Sequence, residues 1–155
     1  MYWFVTFFTS VILAVVFWVT LTRKWDKTAQ KDGNIYWYAD MIKMARTFDP
    51  DLPGFDSYMD QKFSLLRHSV IFLISSLVLY FLHGGFLENC ILVGNVLYAY
   101  LSISRYRYRM RECVNAKSIE GPAKQLRMAL VKDSFITVIY SVVCSLSLFV
   151  LLYLR

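Results

Sequence analysis

The sequence predicts an all-α polytopic membrane protein with four transmembrane helices and a short amphipathic helix on the cytoplasmic side. Its 155 residues are 57% hydrophobic and only 18% charged, a composition unlike that of a soluble globular domain. The charges are also grouped, which leaves apolar runs of about 20 residues, the length that crosses a bilayer core of roughly 30 Å. Only a helix satisfies the backbone polar groups of such a run in lipid.

Four spans divide a single membrane domain that covers residues 1–155. We expect these spans at about 2–22, 63–82, 86–104 and 134–154. No charged residue lies between Met1 and Thr22, and only Glu88 interrupts the run between Arg67 and Arg105. Two cytoplasmic loops separate the spans, at 23–62 and 105–133.

The positive charges indicate how the spans are oriented. Arg23 and Lys24 follow the first apolar run, and no positive residue precedes it, so we interpret the run as a retained anchor rather than a cleaved signal peptide. Because Lys and Arg accumulate on the cytoplasmic side, the N-terminus is expected outside. Four spans return the C-terminus to the same side and place every Lys and Arg except Arg155 on or next to the cytoplasmic face.

The first cytoplasmic loop contains a predicted amphipathic helix at 35–48. Apolar residues recur there at helical spacing, and its expected docking residues are Trp37, Tyr38, Met41 and Phe48. Such a helix lies in the head-group region or covers the ends of the transmembrane helices, and we favour the second location. Asp49-Pro50 is expected to end it, because proline disfavours helix in the preceding residue.

An acidic turn follows this helix and invites comparison with a calcium-binding loop. Asp49, Asp51, Gly54, Asp56 and Asp60 fall at positions 1, 3, 6, 8 and 12 of a twelve-residue loop. The fifth position of that loop is Pro53, which offers no side-chain ligand, and its last position lacks the bidentate glutamate. We therefore predict a solvated acidic turn that caps helices and binds no metal.

The second and third spans form a predicted helical hairpin with a tight turn at His83-Gly84-Gly85. The second span requires Arg67 to extend toward the inner interface, and His68 could do so as well. Both spans are short and carry polar residues. A re-entrant hairpin over 63–104 that does not cross the membrane is therefore an alternative.

The third span carries a candidate polar stripe or helix-packing surface: Glu88, Asn89, Asn95 and Ser102. An acidic residue inside an apolar stretch suggests proton or cation coupling. Glu88 lies only one turn from the predicted bend, however, where water reaches it. The stripe would line a pore or pack against another helix, and packing is the favoured interpretation.

Four arginines mark the end of the third span and are predicted to anchor it at the cytoplasmic interface: Arg105, Arg107, Arg109 and Arg111. Arginines alternating with tyrosines would also suit phosphate contacts and base stacking in a nucleic-acid-binding segment. Because arginine and tyrosine commonly anchor spans at the inner interface, we expect no nucleic-acid partner.

The chain breaks at Ser118 to Pro122 and a new helix is expected from Pro122, since proline suits the first helical turn. This helix runs into the last span. There Ser141 and Ser145 form a small-xxx-small pair that lets another helix approach closely.

No catalytic or cofactor site can be assembled from the remaining residues. Cys90, Cys113 and Cys144 are odd in number and lack a CxxC spacing, which indicates neither a disulfide framework nor a zinc site. His68 and His83 lie roughly 20 Å apart by helical rise and cannot share a metal ion. We predict no enzyme activity and no cofactor, with haem ligation by one histidine as an alternative.

Three pieces of the chain bear on its relationships: the N-out anchor, an aromatic helix leading to Asp49-Pro50-x-Leu52, and the segment from Tyr98 to Arg111 before the final span. Together they resemble universal stress protein B and related small bacterial membrane proteins. The resemblance implies a bacterial inner-membrane protein with a stress-linked role and no defined catalytic residues. This chain has a hydrophobic hairpin from Phe63 to Leu101 where that family has a soluble stretch, and an organelle membrane would suit the sequence as well.

These features predict a non-enzymatic accessory or scaffold subunit of a membrane. We expect its partners to be lipids and either the subunits of a larger membrane complex or further copies of the chain. The alternative is a homo-oligomeric pore, or a defence effector or immunity protein that acts at the membrane. A membrane enzyme is the least favoured class, because loops this short do not supply a catalytic constellation.

Overall fold

The computed structural model describes residues 35–81, 85–116 and 120–153, together with residues 8, 12, 15 and 16. Over these residues the chain is helical and contains no strand. The helices are α1 (Ile35–Phe48), α2 (Phe55–Phe81), α3 (Phe86–Asn115) and α4 (Pro122–Tyr153). The predicted all-α fold is confirmed.

Helices α2, α3 and α4 are each long and apolar enough to cross a membrane. They contain 27, 30 and 32 residues, which gives lengths of about 40 to 48 Å at the helical rise, more than a hydrocarbon core of roughly 30 Å requires. Three of the four predicted spans therefore coincide with such helices. The remaining one, 2–22, lies outside the described residues except for positions 8, 12, 15 and 16, which are helical.

Each of the three long helices extends beyond its predicted span at the charged end. Residues 55–62 and 105–115, which we expected within cytoplasmic loops, are helical. Residues 122–133 are also helical, as the predicted start at Pro122 requires. All three segments are rich in Met, Gln, Glu, Lys and Arg, which have high helix propensity. The helices therefore continue where the apolar runs stop.

Local sequence signals mark the helix boundaries. α1 ends at Phe48 before Asp49-Pro50, and α4 begins at Pro122, both as predicted. Gly85 and Gly121, which precede α3 and α4, have φ angles of 121° and 90°, a region that glycine enters without steric cost. His83 and Gly84 of the predicted tight turn lie outside the described residues.

Helix α4 is the centre of the packing and contacts the other three helices. On its apolar half, buried residues recur every three or four positions, at Thr137, Tyr140, Cys144, Leu148 and Leu151, as expected for one face of a helix. This face packs on a face of α2 formed by Leu65, Phe72 and Leu79. α3 lies against α4 but buries only Ala99.

Small side chains allow the close approach of α3 and α4. Ser145 Oγ donates a hydrogen bond to the backbone carbonyl oxygen of Asn95 at 3.3 Å, which places the α3 backbone directly against α4. Ser145 belongs to the predicted small-xxx-small pair. The expectation that another helix approaches there is confirmed, and that helix is α3.

A second hydrophobic cluster closes the charged end of the bundle. Ile42 and Ala45 of α1 pack with Leu52 and Tyr58, and with Ala123, Leu126 and Leu130 of α4. α1 thus covers the starts of α2 and α4, the location that we favoured. A continuous apolar face on α1 is not established, because Phe48 is 77% exposed and the side chains at 35–38 lie outside the described part.

Candidate functional site: a polar pocket between three helices

A polar pocket lies where the charged ends of α2, α3 and α4 meet. Its volume is about 280 Å³, just below the range of roughly 300–1,000 Å³ that is typical of small-molecule sites. Its walls come from residues 60–68 of α2, 98–105 of α3 and 134–137 of α4. We call it the interhelical pocket.

The mouth of the interhelical pocket carries one carboxylate between two guanidinium groups. Arg67 Nη1 lies 2.7 Å from Asp60 Oδ1, and Arg105 Nη1 lies 3.2 Å from Asp60 Oδ2. Arg67 Nη2 also donates to the Asp60 carbonyl oxygen at 3.2 Å. All three side chains are nearly half-exposed. This trio retains a net charge of +1 at a position that solvent or a ligand can reach.

The floor of the pocket is buried and rich in hydroxyl groups. Gln61 Nε2 donates to Thr137 Oγ1 at 3.1 Å, which joins α2 to α4. Ser134 is 2% exposed, and its Oγ has no hydrogen-bond partner among the described residues. Buried polar groups are nearly always paired, because an unpaired one loses the free energy of its bonds to water. An unpaired hydroxyl beside a cavity is therefore a candidate ligand contact.

His68 closes one side of the pocket and ties α2 to α3. Its Nδ1 donates to the Ser64 carbonyl oxygen at 2.7 Å, and its Nε2 shares a hydrogen bond with Ser102 Oγ at 2.9 Å. The imidazole ring also lies 4.2 Å from the Tyr98 ring between centroids. Whether His68 extends toward the interface was left open, and at 5% exposure it does not. The extended residue is Arg67.

The candidate polar stripe on α3 divides into two parts. Asn95 Nδ2 donates a hydrogen bond to Ser75 Oγ of α2 at 3.0 Å. Ser102 forms a hydrogen bond with His68, which also belongs to α2. Glu88 is partly buried near the start of α3, and Asn89 is exposed. Asn95 and Ser102 therefore act in helix packing within the chain.

The four predicted interface anchors occupy different environments at the end of α3. Arg105 belongs to the mouth of the pocket. Arg109 Nη1 lies 3.2 Å from Glu112 Oε2, one turn away, and its guanidinium carbon lies 5.8 Å from the centre of the Tyr108 ring. Arg107 and Arg111 are exposed.

The prediction of a solvated acidic turn is wrong at Asp49. Asp49 is 3% exposed, and its Oδ2 accepts a hydrogen bond from Arg127 Nε at 2.9 Å. Arg127 is itself buried in α4, so the turn packs against that helix instead of standing in solvent. Asp51, two residues further, is exposed as expected. Neither residue type nor spacing in the sequence identified the pair of Asp49 and Arg127.

The predicted docking residues of α1 are only partly described. Met41 packs at the edge of the cluster that covers α2 and α4, whereas Phe48 is exposed. The side chains of Trp37 and Tyr38 lie outside the described part of the structure.

The cysteines also occupy different environments. Cys144 is buried between helices, as small packing residues commonly are, whereas Cys90 is exposed among the described residues. Within the described ranges, no three His, Cys, Asp or Glu side chains lie close enough together to hold a metal ion.

No protein-family model, curated protein or solved structure matches this chain. The resemblance to universal stress protein B therefore stays a prediction. Sequence reasoning singled out Arg67 on the second predicted span, and Ser102 and Arg105 at the end of the third. It did not identify the interhelical pocket, which depends on how three helices meet.

Proposed function

We propose that the chain is a non-enzymatic accessory or scaffold subunit that packs through α3 against a larger membrane complex or against copies of itself. The observation that carries the proposal is the position of Gly94. This residue is exposed near the middle of the apolar part of α3, and a Cβ atom built on it meets no atom within 4 Å.

A glycine inside a helix needs a physical reason, because it costs roughly 0.5–1 kcal/mol relative to alanine. In membrane helices that reason is commonly the close approach of a second backbone. Among the described residues, none approaches Gly94. Cys90 is exposed one turn earlier on the same face, so the small surface covers a full turn. A helix from another subunit would account for it, as would the chain's own predicted span at 2–22, which lies largely outside the described residues; loss of a complex in Gly94→Leu distinguishes the first from the second.

The low burial of α3 supports the same proposal. In the apolar stretch of α3 only 6% of the residues are buried, compared with 44% in the apolar stretch of α2 and 33% in that of α4. Lipid covers an apolar surface as well as protein does, so exposure alone does not favour a partner. The small residues on the exposed face favour one, because association in membranes depends on close packing rather than on hydrophobicity.

We propose a bacterial inner membrane as the location, with both termini outside and α1 on the cytoplasmic side. The clustering of Lys and Arg at one end of the helices supports this orientation. The exposed Phe48 ring and the start of α4 would then form a cytoplasmic docking face. A stress-linked role rests on the resemblance alone.

The pore alternative has less support. It would require the stripe from Glu88 to Ser102 to face water in an oligomer. Asn95 and Ser102 instead form hydrogen bonds with α2, which leaves a shorter polar surface on α3.

A matched pair of substitutions tests the proposed surface. Gly94→Leu fills the small surface, whereas Val96→Leu changes an exposed residue two positions away, on a different side of α3. The full chain is extracted at native expression in mild detergent, and native mass spectrometry identifies what copurifies. We expect a larger complex or a discrete homo-oligomer that Gly94→Leu disrupts and Val96→Leu preserves. A monomer in every case would contradict the proposal.

A further inference from the structure

We propose that the interhelical pocket binds the head group of an anionic phospholipid, with the phosphate at Arg67 and Arg105 and a head-group hydroxyl at Ser134. This inference goes beyond the accessory role and does not depend on it. It follows from the charge of the mouth, the position of the pocket along the helices, and the unpaired hydroxyl on its floor.

The charge of the mouth suits a phosphodiester. Two guanidinium groups share one carboxylate, and the remaining charge of +1 equals what one phosphodiester anion neutralises. Arginine is well suited to phosphate because its planar fork donates two parallel hydrogen bonds. Asp60 holds both guanidinium groups within 3.2 Å of its oxygens, so the two groups lie close together. A phosphate would bind the N–H groups of both arginines that Asp60 leaves free.

The pocket lies at the level where head groups are expected. Between Arg67 and Arg105 the sequence contains one charged residue, Glu88, so these arginines mark the edge of the apolar region on α2 and α3. Head groups occupy that boundary in a bilayer. Basic pockets between transmembrane helices are a known means of recognising anionic head groups. A lipid would therefore reach the mouth while its chains stay along the apolar helix surface.

The floor supplies recognition beyond the charge. A pocket of about 280 Å³ equals the volume of several water molecules at about 30 Å³ each, which leaves room for a substituent on the phosphate. Ser134 Oγ is buried there and has no hydrogen-bond partner in the described part of the chain, although a hydroxyl both donates and accepts. A head group that carries hydroxyls, such as glycerol, would satisfy it.

The test measures lipid binding to the full chain in nanodiscs by native mass spectrometry. Phosphatidylglycerol supplies the phosphate and hydroxyls, phosphatidic acid supplies the phosphate without them, and phosphatidylcholine supplies a zwitterionic head group. We expect phosphatidylglycerol to be retained about tenfold better than phosphatidylcholine. Arg105→Gln should reduce that retention by about tenfold, which corresponds to the loss of one charge-assisted hydrogen bond.

Two control variants distinguish binding in the pocket from attraction to general surface charge and from a loss of folding. Arg107→Gln removes the same charge from an exposed arginine two residues away, and we expect it to leave retention unchanged. Ser134→Ala keeps every charge. It should reduce the retention of phosphatidylglycerol several-fold without changing the retention of phosphatidic acid. This second variant tests the pocket even where Arg105→Gln does not assemble.

Three results would overturn the proposal. Equal losses in Arg105→Gln and Arg107→Gln would assign the binding to general surface charge. Unchanged phosphatidylglycerol retention in Ser134→Ala would show that no head-group hydroxyl binds at Ser134. Binding of free glycerol 3-phosphate with the same dependence on Arg105, without retention of the lipid, would identify a soluble phosphate ester as the ligand instead.

Discussion

Arg127 Nη2 lies 2.8 Å from Asp49 Oδ2, and the two side chains are only 8% and 3% exposed. The pair joins the turn after α1 to the first part of α4, next to the cluster that contains Ile42 and Leu126. It is thus the polar part of the contact by which α1 covers the starts of α2 and α4. Burying two charges is costly, and their attraction offsets that cost only while both partners are present.

Removing one partner of this pair should destabilise the covering segment strongly. We expect Asp49→Asn to lower the free energy of unfolding by about 3 kcal/mol, because the Arg127 charge stays buried without compensation. The measurement is unfolding in mixed micelles followed by circular dichroism. Asp51→Asn, which removes an exposed carboxylate from the same turn, should change that free energy by less than about 0.5 kcal/mol.

A double substitution separates the pair from other effects at these positions. If the loss in Asp49→Asn arises from an uncompensated charge, Asp49→Leu combined with Arg127→Met should recover most of the stability, since apolar residues of similar volume commonly replace a buried pair. Equal stability of Asp49→Asn and the wild type would show that the pair does not support the fold.

The hydrogen bond between Ser69 and Tyr140 should stabilise the contact of α2 with α4. Their hydroxyl oxygens lie 2.8 Å apart inside the bundle. Tyr140→Phe keeps the ring and removes the hydroxyl, so we expect a loss of about 1 kcal/mol in the same unfolding measurement. Tyr153→Phe, at a residue that is 91% exposed, is the matched control. Similar losses in both variants would argue against this contact.

Substitutions in the α3 stripe should affect assembly more than ion flow. Asn95→Leu removes the hydrogen bond to Ser75 and places a branched side chain between α2 and α3. We expect less assembled protein on size-exclusion chromatography and unchanged ion flux in proteoliposomes, and Glu88→Gln should also leave the flux unchanged. A loss of conductance with assembly intact would favour the pore alternative.

The features that could be predicted from the sequence are those set by residues close together along the chain. The end of α1 at Phe48 and the start of α4 at Pro122 were predictable, because proline acts on its immediate neighbours. The spans within α2, α3 and α4 were predictable because the lengths of their apolar runs match the thickness of a bilayer core. The charged start of α2 and the charged end of α3 were assigned to loops because low hydropathy was taken to end a span, although it does not end a helix.

The parts that sequence did not reveal depend on pairs that are distant along the chain. Asp49 and Arg127 are 78 positions apart, and nothing local distinguishes Asp49 from the exposed Asp51. His68 and Ser102 are likewise 34 positions apart, so the burial of His68 depends on the register of α2 against α3. The interhelical pocket requires the registers of three helices at once, which composition and periodicity do not specify.

Photo-crosslinking from Cys90 tests the accessory role most directly. Cys90 is exposed one turn before Gly94, so a benzophenone maleimide attached there, with Cys113 and Cys144 changed to alanine, would contact whatever packs on that face in native membranes. A parallel sample carries the probe at Val96→Cys in a Cys90→Ala background. We predict discrete protein adducts from Cys90, identifiable by mass spectrometry, and far fewer from position 96. Lipid adducts alone from both positions would show that no protein packs on α3 and would contradict the proposed function.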